Sequence, residues 1–169
     1  MLVLTEKGIY VARDKLGRTP IIIGKKEGAF AASSETCAFP NLGYEVERYA
    51  GPGEILLMTP EGVEQVRQPG SRMQICSFLW VYYGYPASSY EGINTEQVRY
   101  RCGAAIAKRE DVQADLVSGI PDSGIGHALG FAHKSGIPYM RPYVKYTPTW
   151  PRSFMPQNQV GVYLTYGLM

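Results

Sequence analysis

The sequence predicts two architectures in series, an antiparallel β segment followed by the opening of a parallel α/β sheet. Two features of the 169 residues carry that reading. Through about residue 67, short apolar or β-branched runs recur at hairpin spacing, each closed by glycine or charge. After Gln68-Pro69-Gly70-Ser71 the rhythm lengthens to helix, strand, helix, strand, the order of a parallel sheet with crossover helices. A hydrophobic fraction of 45% allows a packed core and argues against a disordered chain.

In the first part, residues 1–4 and 8–12 make two short strands, and Arg13-Asp14-Lys15-Leu16-Gly17-Arg18 is a polar turn. Residues 19–23 form a third strand, 24–28 a turn and 29–33 a fourth strand. Ser34-Glu35-Thr36-Cys37-Ala38-Phe39 reads as a brief helical turn closed by Pro40-Asn41 and Gly43. Strands at 44–49 and 54–59 flank the tight Gly51-Pro52-Gly53, and Pro60-Glu61-Gly62 turns into a last strand at 63–67. One mostly antiparallel sheet is expected over residues 2–67.

In the second part, 75–83 is apolar and aromatic and 84–89 is a loop. Asn94-Thr95-Glu96 opens a helix, with Asn94 or Thr95 as N-cap, and Val98, Cys102, Ala105 and Ile106 give it one apolar face. Residues 114–120 read as a buried strand and 138–145 as another. Between them lie the turn Pro121-Asp122-Ser123-Gly124 and a helix over 125–135, ended by Gly136 in the left-handed C′ position.

Several function classes are excluded. No apolar run approaches the roughly 20 residues of a membrane span, and the first residues lack the basic and apolar regions of a secretory signal. Cys37, Cys76 and Cys102 form an odd, widely spaced set without a CxxC pair, which suits a cytoplasmic location and argues against a disulfide framework or a self-sufficient zinc site. A net charge of +2 is too small and scattered to predict nucleic-acid binding.

The stretch Pro121-Asp122-Ser123-Gly124-Ile125-Gly126 carries the most chemistry. It joins a strand end to a helix N-terminus, where backbone N–H groups and the dipole favour an anion. The alternative is that Asp122 or Ser123 merely caps the helix, and capping does not exclude a ligand role. Gly124, Gly126 and Gly130 miss the dinucleotide fingerprint by one residue, and no acidic residue follows at about 20 positions. Ser123 and His127 are four apart, but Pro121 and Ile125 occupy the positions where a nucleophile elbow needs glycine. His133 reads as a surface residue or dipole partner, and Cys37 and Cys102 as small core residues. Lys145 and Arg152 sit in a proline-broken loop that can close over a phosphate or simply lie exposed. Residues 160–169 are an uncharged apolar tail, either a strand or a sticky end.

Four segments in collinear order resemble the glutamine-dependent amidophosphoribosyltransferases. They are Ala12-Arg13-Asp14-Lys15-Leu16-Gly17-Arg18-Thr19-Pro20; Ala32-Ser33-Ser34-Glu35-Thr36-Cys37-Ala38-Phe39, followed by Pro52-Gly53-Glu54; Cys76-Ser77-Phe78-Leu79-Trp80-Val81-Tyr82-Tyr83-Gly84-Tyr85-Pro86-Ala87-Ser88; and Gly119-Ile120-Pro121-Asp122-Ser123-Gly124 with Gly136-Ile137-Pro138-Tyr139, Val144-Lys145 and Arg152-Ser153-Phe154. The resemblance runs from about Leu2 to Gln159 and implies a function: a glutaminase domain frees ammonia, and a phosphoribosyltransferase domain passes it to phosphoribosyl pyrophosphate, giving phosphoribosylamine, the first step of de novo purine synthesis. It further implies that 1–70 is the C-terminal part of an Ntn-type glutaminase domain, 71–93 an inter-domain segment, 94–159 the opening of a type I phosphoribosyltransferase-like sheet, and 160–169 a divergent tail.

The departures from the family pattern shape the expectation for this chain. Position 2 is leucine where the family's glutaminase carries its nucleophilic cysteine at the N-terminus, and the acidic ribose-phosphate loop is not matched by 160–169. No catalytic residue is therefore expected, and neither half-reaction by the chain alone. The phosphoribosyl pyrophosphate surface expected to remain is Asp122, Ser123, Gly124, Lys145 and Arg152. No cofactor is expected here. The full-length family uses magnesium and, in one subfamily, an iron–sulfur cluster, whose first ligand position Cys76 matches without the other three. The competing expectations are an assembly module, pairing with itself, a full-length homologue or another chain, and a phosphoribosyltransferase completed by a second chain.

Overall fold

The computed structural model describes residues 1–145. The chain is mixed α/β with antiparallel sheets and divides into two compact units, Met1–Arg99 and the part from Tyr100 onward.

In the first unit, β1 (Leu2–Thr5) and β2 (Gly8–Ala12) form a hairpin with Leu2 opposite Val11 and Thr5 opposite Gly8. Strand β2 also pairs with β6 (Ile55–Met58), which pairs with β7 (Val63–Arg67), giving the order β1-β2-β6-β7. A second sheet has the order β4-β3-β5, from β3 (Ile22–Lys26), β4 (Ala29–Ser33) and β5 (Glu45–Tyr49). The single sheet expected over 2–67 is thus two sheets. Their shared core is Val11, Leu56 and Met58 from the first, Ile23 from the second, and Ala50 at the end of β5. Alternate residues of β6 are buried, the period-two pattern of a strand with one covered face.

Strand β3 runs three residues beyond its expected end, because Gly24 is not a turn residue. A Cβ there would stand 2.5 Å from the Phe39 ring, so glycine lets that fully buried aromatic lie against the strand. The turn falls instead at Glu27-Gly28, where Gly28 has φ +69°. The expected helical turn at 34–39 is a short 3₁₀ turn, Thr36–Ala38, followed by a second, Pro40–Leu42, that ends on left-handed Gly43.

Glu54 is fully buried just ahead of β6. Its carboxylate accepts hydrogen bonds from Gly51 N–H at 2.6 Å, Arg48 Nη2 at 2.5 and 2.6 Å, and Gln65 Nε2. Burial pushes this carboxyl up, but those hydrogen bonds and the Arg48 charge outweigh it and hold it below the usual glutamate range.

Further along, Leu79–Tyr83 closes a π-helical turn whose carbonyls are capped by buried Arg99: Nε donates to Trp80 O at 2.8 Å and Nη2 to Tyr82 O and Gly84 O at 2.9 and 2.7 Å. Trp80 meets buried Tyr90 edge-on at 5.7 Å. Strands β8 (Ser89–Tyr90) and β9 (Ile93–Asn94) form a small hairpin absent from the sequence expectation. Asn94 then opens α1 (Thr95–Ala107), its Oδ1 accepting Gln97 N–H at 3.0 Å.

In the second unit, α2 (Gly124–Ser135) ends at Gly136 with φ +77°, as expected. It meets the α1 residues of this unit backbone to backbone. A Cβ on Gly103 would lie 1.8 Å from His127 O, and one on Gly130 1.9 Å from Tyr100 O. Beside this contact, His133 is exposed in the last turn of α2, as expected, and its Nδ1 is hydrogen-bonded to Tyr100 OH. The strands expected at 114–120 and 138–145 are a single parallel bridge, Val117 to Tyr139. Leu116 and Ile120 are exposed, so the burial expected of a central strand is missing among the described residues.

Two measurements check this account. Gly103→Ala and Gly130→Ala should each lower unfolding free energy by about 1–3 kcal/mol or more in urea titrations, since the methyl meets backbone that has no free space to yield. Acid titration should show stability falling as pH drops below the ordinary glutamate value of 4.5. Glu54, depressed in the folded state, contributes above that value and loses its contribution as it protonates, so Glu54→Gln should flatten the acid limb.

Candidate anion-binding turn

The turn ahead of α2 is shaped by Gly119, where a Cβ would stand 2.8 Å from both Gly124 O and Ile125 Cα. Only glycine allows the chain to fold back this closely on the helix start. Gly124 N–H then donates to Ile120 O at 3.0 Å and Ile125 N–H to Asp122 O at 3.3 Å; the Pro121–Asp122 peptide is cis. The capping alternative fails for both candidates. Ser123 occupies the N-cap position with φ −65° and ψ −26°, helical values that carry no side-chain cap bond. Asp122 turns outward, and its Oδ2 takes Lys145 Nζ at 3.3 Å, each side chain 59% exposed.

Asp122, Ser123, Gly124 and Lys145 are therefore brought together at the N-terminus of α2. The first turn of that helix holds no acidic side chain, so the positive end of the dipole is not neutralised within the helix. Arg152, the remaining member of the expected set, lies outside the described residues, as do the rest of the 146–154 loop and the tail at 160–169. Half-buried Cys76 packs beside Leu79, Trp80 and Tyr90. Among the described residues, no three His, Cys, Asp or Glu side chains gather as a metal ion would need.

Sequence reasoning did not foresee a second concavity, in the first unit. A cleft of about 390 Å³ is lined by Met1, Leu2, Asp14, Thr19, Pro20, Ile21, Ser33 and Ser34. Asp14 accepts Leu16 N–H at 3.0 Å and Thr19 N–H at 3.5 Å. Burial raises its pKa, but backbone hydrogen bonds from Arg18, Leu16 and Thr19 and the nearby Arg13 charge bring it below the usual aspartate value. The available signal was that two of the motif segments, around Asp14 and around Ser33, needed a reason to sit together.

No protein-family model matches the chain. It is 39% identical over 139 residues to the amidophosphoribosyltransferase of Bacillus subtilis, covering 82% of this chain and 29% of that protein. The Archaeoglobus fulgidus amidophosphoribosyltransferase is 34% identical over 146 residues, covering 86% and 32%; that of Rattus norvegicus is 31% identical over 192 aligned residues, covering 100% and 37%. Among solved structures, the glutamine phosphoribosylpyrophosphate amidotransferase of B. subtilis, complexed with ADP and GMP, superposes with TM-score 0.83 at 35% identity, over 94% of this chain and 35% of that one. Over most of its own length, the chain matches a segment of the amidophosphoribosyltransferases. It spans about a third of the length of the curated relatives it matches. A second solved structure, described as the allosteric regulatory enzyme of purine biosynthesis, agrees at TM-score 0.78 and 36% identity, over 89% of this chain and 34% of that one. The mixed α/β architecture with antiparallel sheets agrees with these structural neighbours, and no described helix is long and apolar enough to cross a membrane.

The Asp122–Lys145 pair is exposed, so it has little stabilising role to lose. Lys145→Ala and Asp122→Asn should each change unfolding free energy by less than about 1 kcal/mol in urea titrations, leaving the turn free for ligand experiments on folded variants.

Proposed function

We propose that this segment serves the family reaction, transfer of glutamine-derived ammonia to phosphoribosyl pyrophosphate with release of pyrophosphate, in de novo purine synthesis in the cytoplasm. Residues 1–70 are assigned to the later part of an Ntn-type glutaminase domain and 71–93 to an inter-domain segment. Residues 94–159 are assigned to the opening of a type I phosphoribosyltransferase domain, with 160–169 a divergent tail. The observation that carries the reading is Lys145 held against Asp122 at the start of α2. A pyrophosphate arriving there exchanges one carboxylate partner of Lys145 for phosphate oxygens and gains the dipole of the helix end. Arg152 completes the set as a second cation. Magnesium, in this reading, arrives with the pyrophosphate and offsets its charge, and no step runs through a metal held by these residues.

The 169-residue polypeptide alone is proposed to bind at this turn without turning over. Its residues include neither a nucleophile matching the family's glutaminase cysteine nor the acidic loop that cradles the ribose phosphate. Titration with magnesium pyrophosphate, followed by amide NMR, should move Ser123, Gly124 and Lys145. Lys145→Ala should weaken the apparent affinity by about tenfold, the size of one lost charge-assisted contact. Unmoved resonances at millimolar ligand would sink the assignment. Pyrophosphate release from phosphoribosyl pyrophosphate with ammonium or glutamine, abolished by Asp122→Ala, would overturn the claim of inactivity.

An assembly role is the second reading, and β1 favours it. This strand ends the four-stranded sheet with Leu2, Val3 and Leu4 all exposed, and open apolar edges recruit further strands. A second copy or a full-length homologue is the proposed partner; light scattering that stays monomeric across a concentration series rejects self-association.

A further inference from the structure

The hairpin between β8 and β9 turns through Glu91 and Gly92, with φ +49° and +78°. Two consecutive positive φ values define the primed hairpin turn, whose first position favours asparagine, aspartate or glycine. Among the described residues Glu91 is the one non-glycine with positive φ. For a side chain with a Cβ this backbone is strained, so the backbone gives no reason to find glutamate there. Its side chain does.

Glu91 Oε1 lies 2.7 Å from Arg13 Nη2, and the Arg13 side chain has no access to solvent. The same guanidinium donates from Nε to Thr19 O at 3.2 Å, from Nη1 to Ala50 O at 2.5 Å and from Nη2 to Gly17 O at 2.7 Å. Those three carbonyls fix the position of the cation but carry no net charge; Glu91 is the anion in direct contact with it. The Oε1 contact is not an aligned hydrogen bond. Charge, not direction, holds it.

The residues just after Glu91 are tied to the same hairpin. Ile93 O accepts the Trp80 indole N–H at 3.0 Å, and Asn94 Nδ2 donates to Pro86 O and Ser88 O at 3.1 and 3.3 Å. Thr95 N–H donates to Ser88 O at 2.9 Å and Glu96 N–H to Pro86 O at 3.3 Å, so the first turn of α1 hangs from the strand that the tip steadies. We propose that Glu91 is a positioning residue: its ion pair with buried Arg13 sets the hairpin and, through it, where α1 begins relative to the loop 13–19. The proposal rests on no part of the assigned reaction.

Trp80 offers a direct reporter, since its indole N–H meets the residue after the turn. In the full 169-residue chain, Glu91→Gln keeps the shape and removes the charge, while Glu91→Gly removes both the charge and the backbone strain. Both variants should shift the Trp80 indole N–H resonance and speed exchange of that proton and of the Thr95 amide at least tenfold. Amides of Val11, Ile23 and Leu56 should keep wild-type protection. Wild-type indole and Thr95 behaviour in Glu91→Gly would mean that the position serves the turn alone and would overturn the proposal. Uniform acceleration of all these amides would overturn it too, since that marks loss of overall stability rather than loss of position. Glycine is favoured at this turn, so the second variant decides the matter even if Glu91→Gln fails to fold.

Discussion

A guanidinium shut away from water is the constraint on which the first unit depends. Arg13 leaves β2 at the point where the strand ladder stops, and its main-chain N–H still pairs with Glu54 O at 3.1 Å. Its side chain then supplies donors to carbonyls that no strand reaches, at Gly17, Thr19 and Ala50. A buried cation left without partners would cost several kcal/mol, so the turn, the end of β5 and the small hairpin are each held where the cation needs them. Glu54 is the opposite charge a short distance along the sheet, and it has its own donors. The two buried ions do not pair through their side chains; each has its own polar partners, and both reach the 50–51 stretch after β5.

That arrangement explains which parts of the fold were legible in the sequence. Strands β1, β2, β4, β5, β6 and β7 fell close to their expected ranges, because short apolar or β-branched runs closed by glycine or charge are local signals. Gly24 was misread as a turn because its reason is non-local: the Phe39 ring arrives from residues far along the chain. The division into two sheets was invisible for a similar reason, since pairing partners are a tertiary choice that propensity does not encode. The hairpin at Ser89–Asn94 is too short for periodicity to show, although its Glu91-Gly92 centre was a turn signal in plain sight.

The candidate anion-binding turn was legible in part. The helix start, its glycines and the basic residue beyond it all belong to the pattern of a phosphate site, and the structure brings Asp122, Ser123, Gly124 and Lys145 together there. The capping alternative does not hold at Ser123, for a physical reason: Ser123 already has helical backbone angles, while a capping side chain needs an extended residue at that point. The expected strands on either side of this helix rested on apolar content alone. A parallel strand is secured by neighbours on both edges, and apolar content does not say whether such neighbours are present.

The contact between α1 and α2 in the second unit has a mechanical consequence. Because Gly103 and Gly130 leave no side-chain layer between the two backbones, the gap holds no rotamers to adjust and no void to collapse. Helix pairs cushioned by leucine or methionine absorb a load by repacking; at these two glycines only main-chain atoms meet. The joint is therefore close to incompressible, and hydrostatic pressure would leave the separation of these helices at the two glycines almost unchanged.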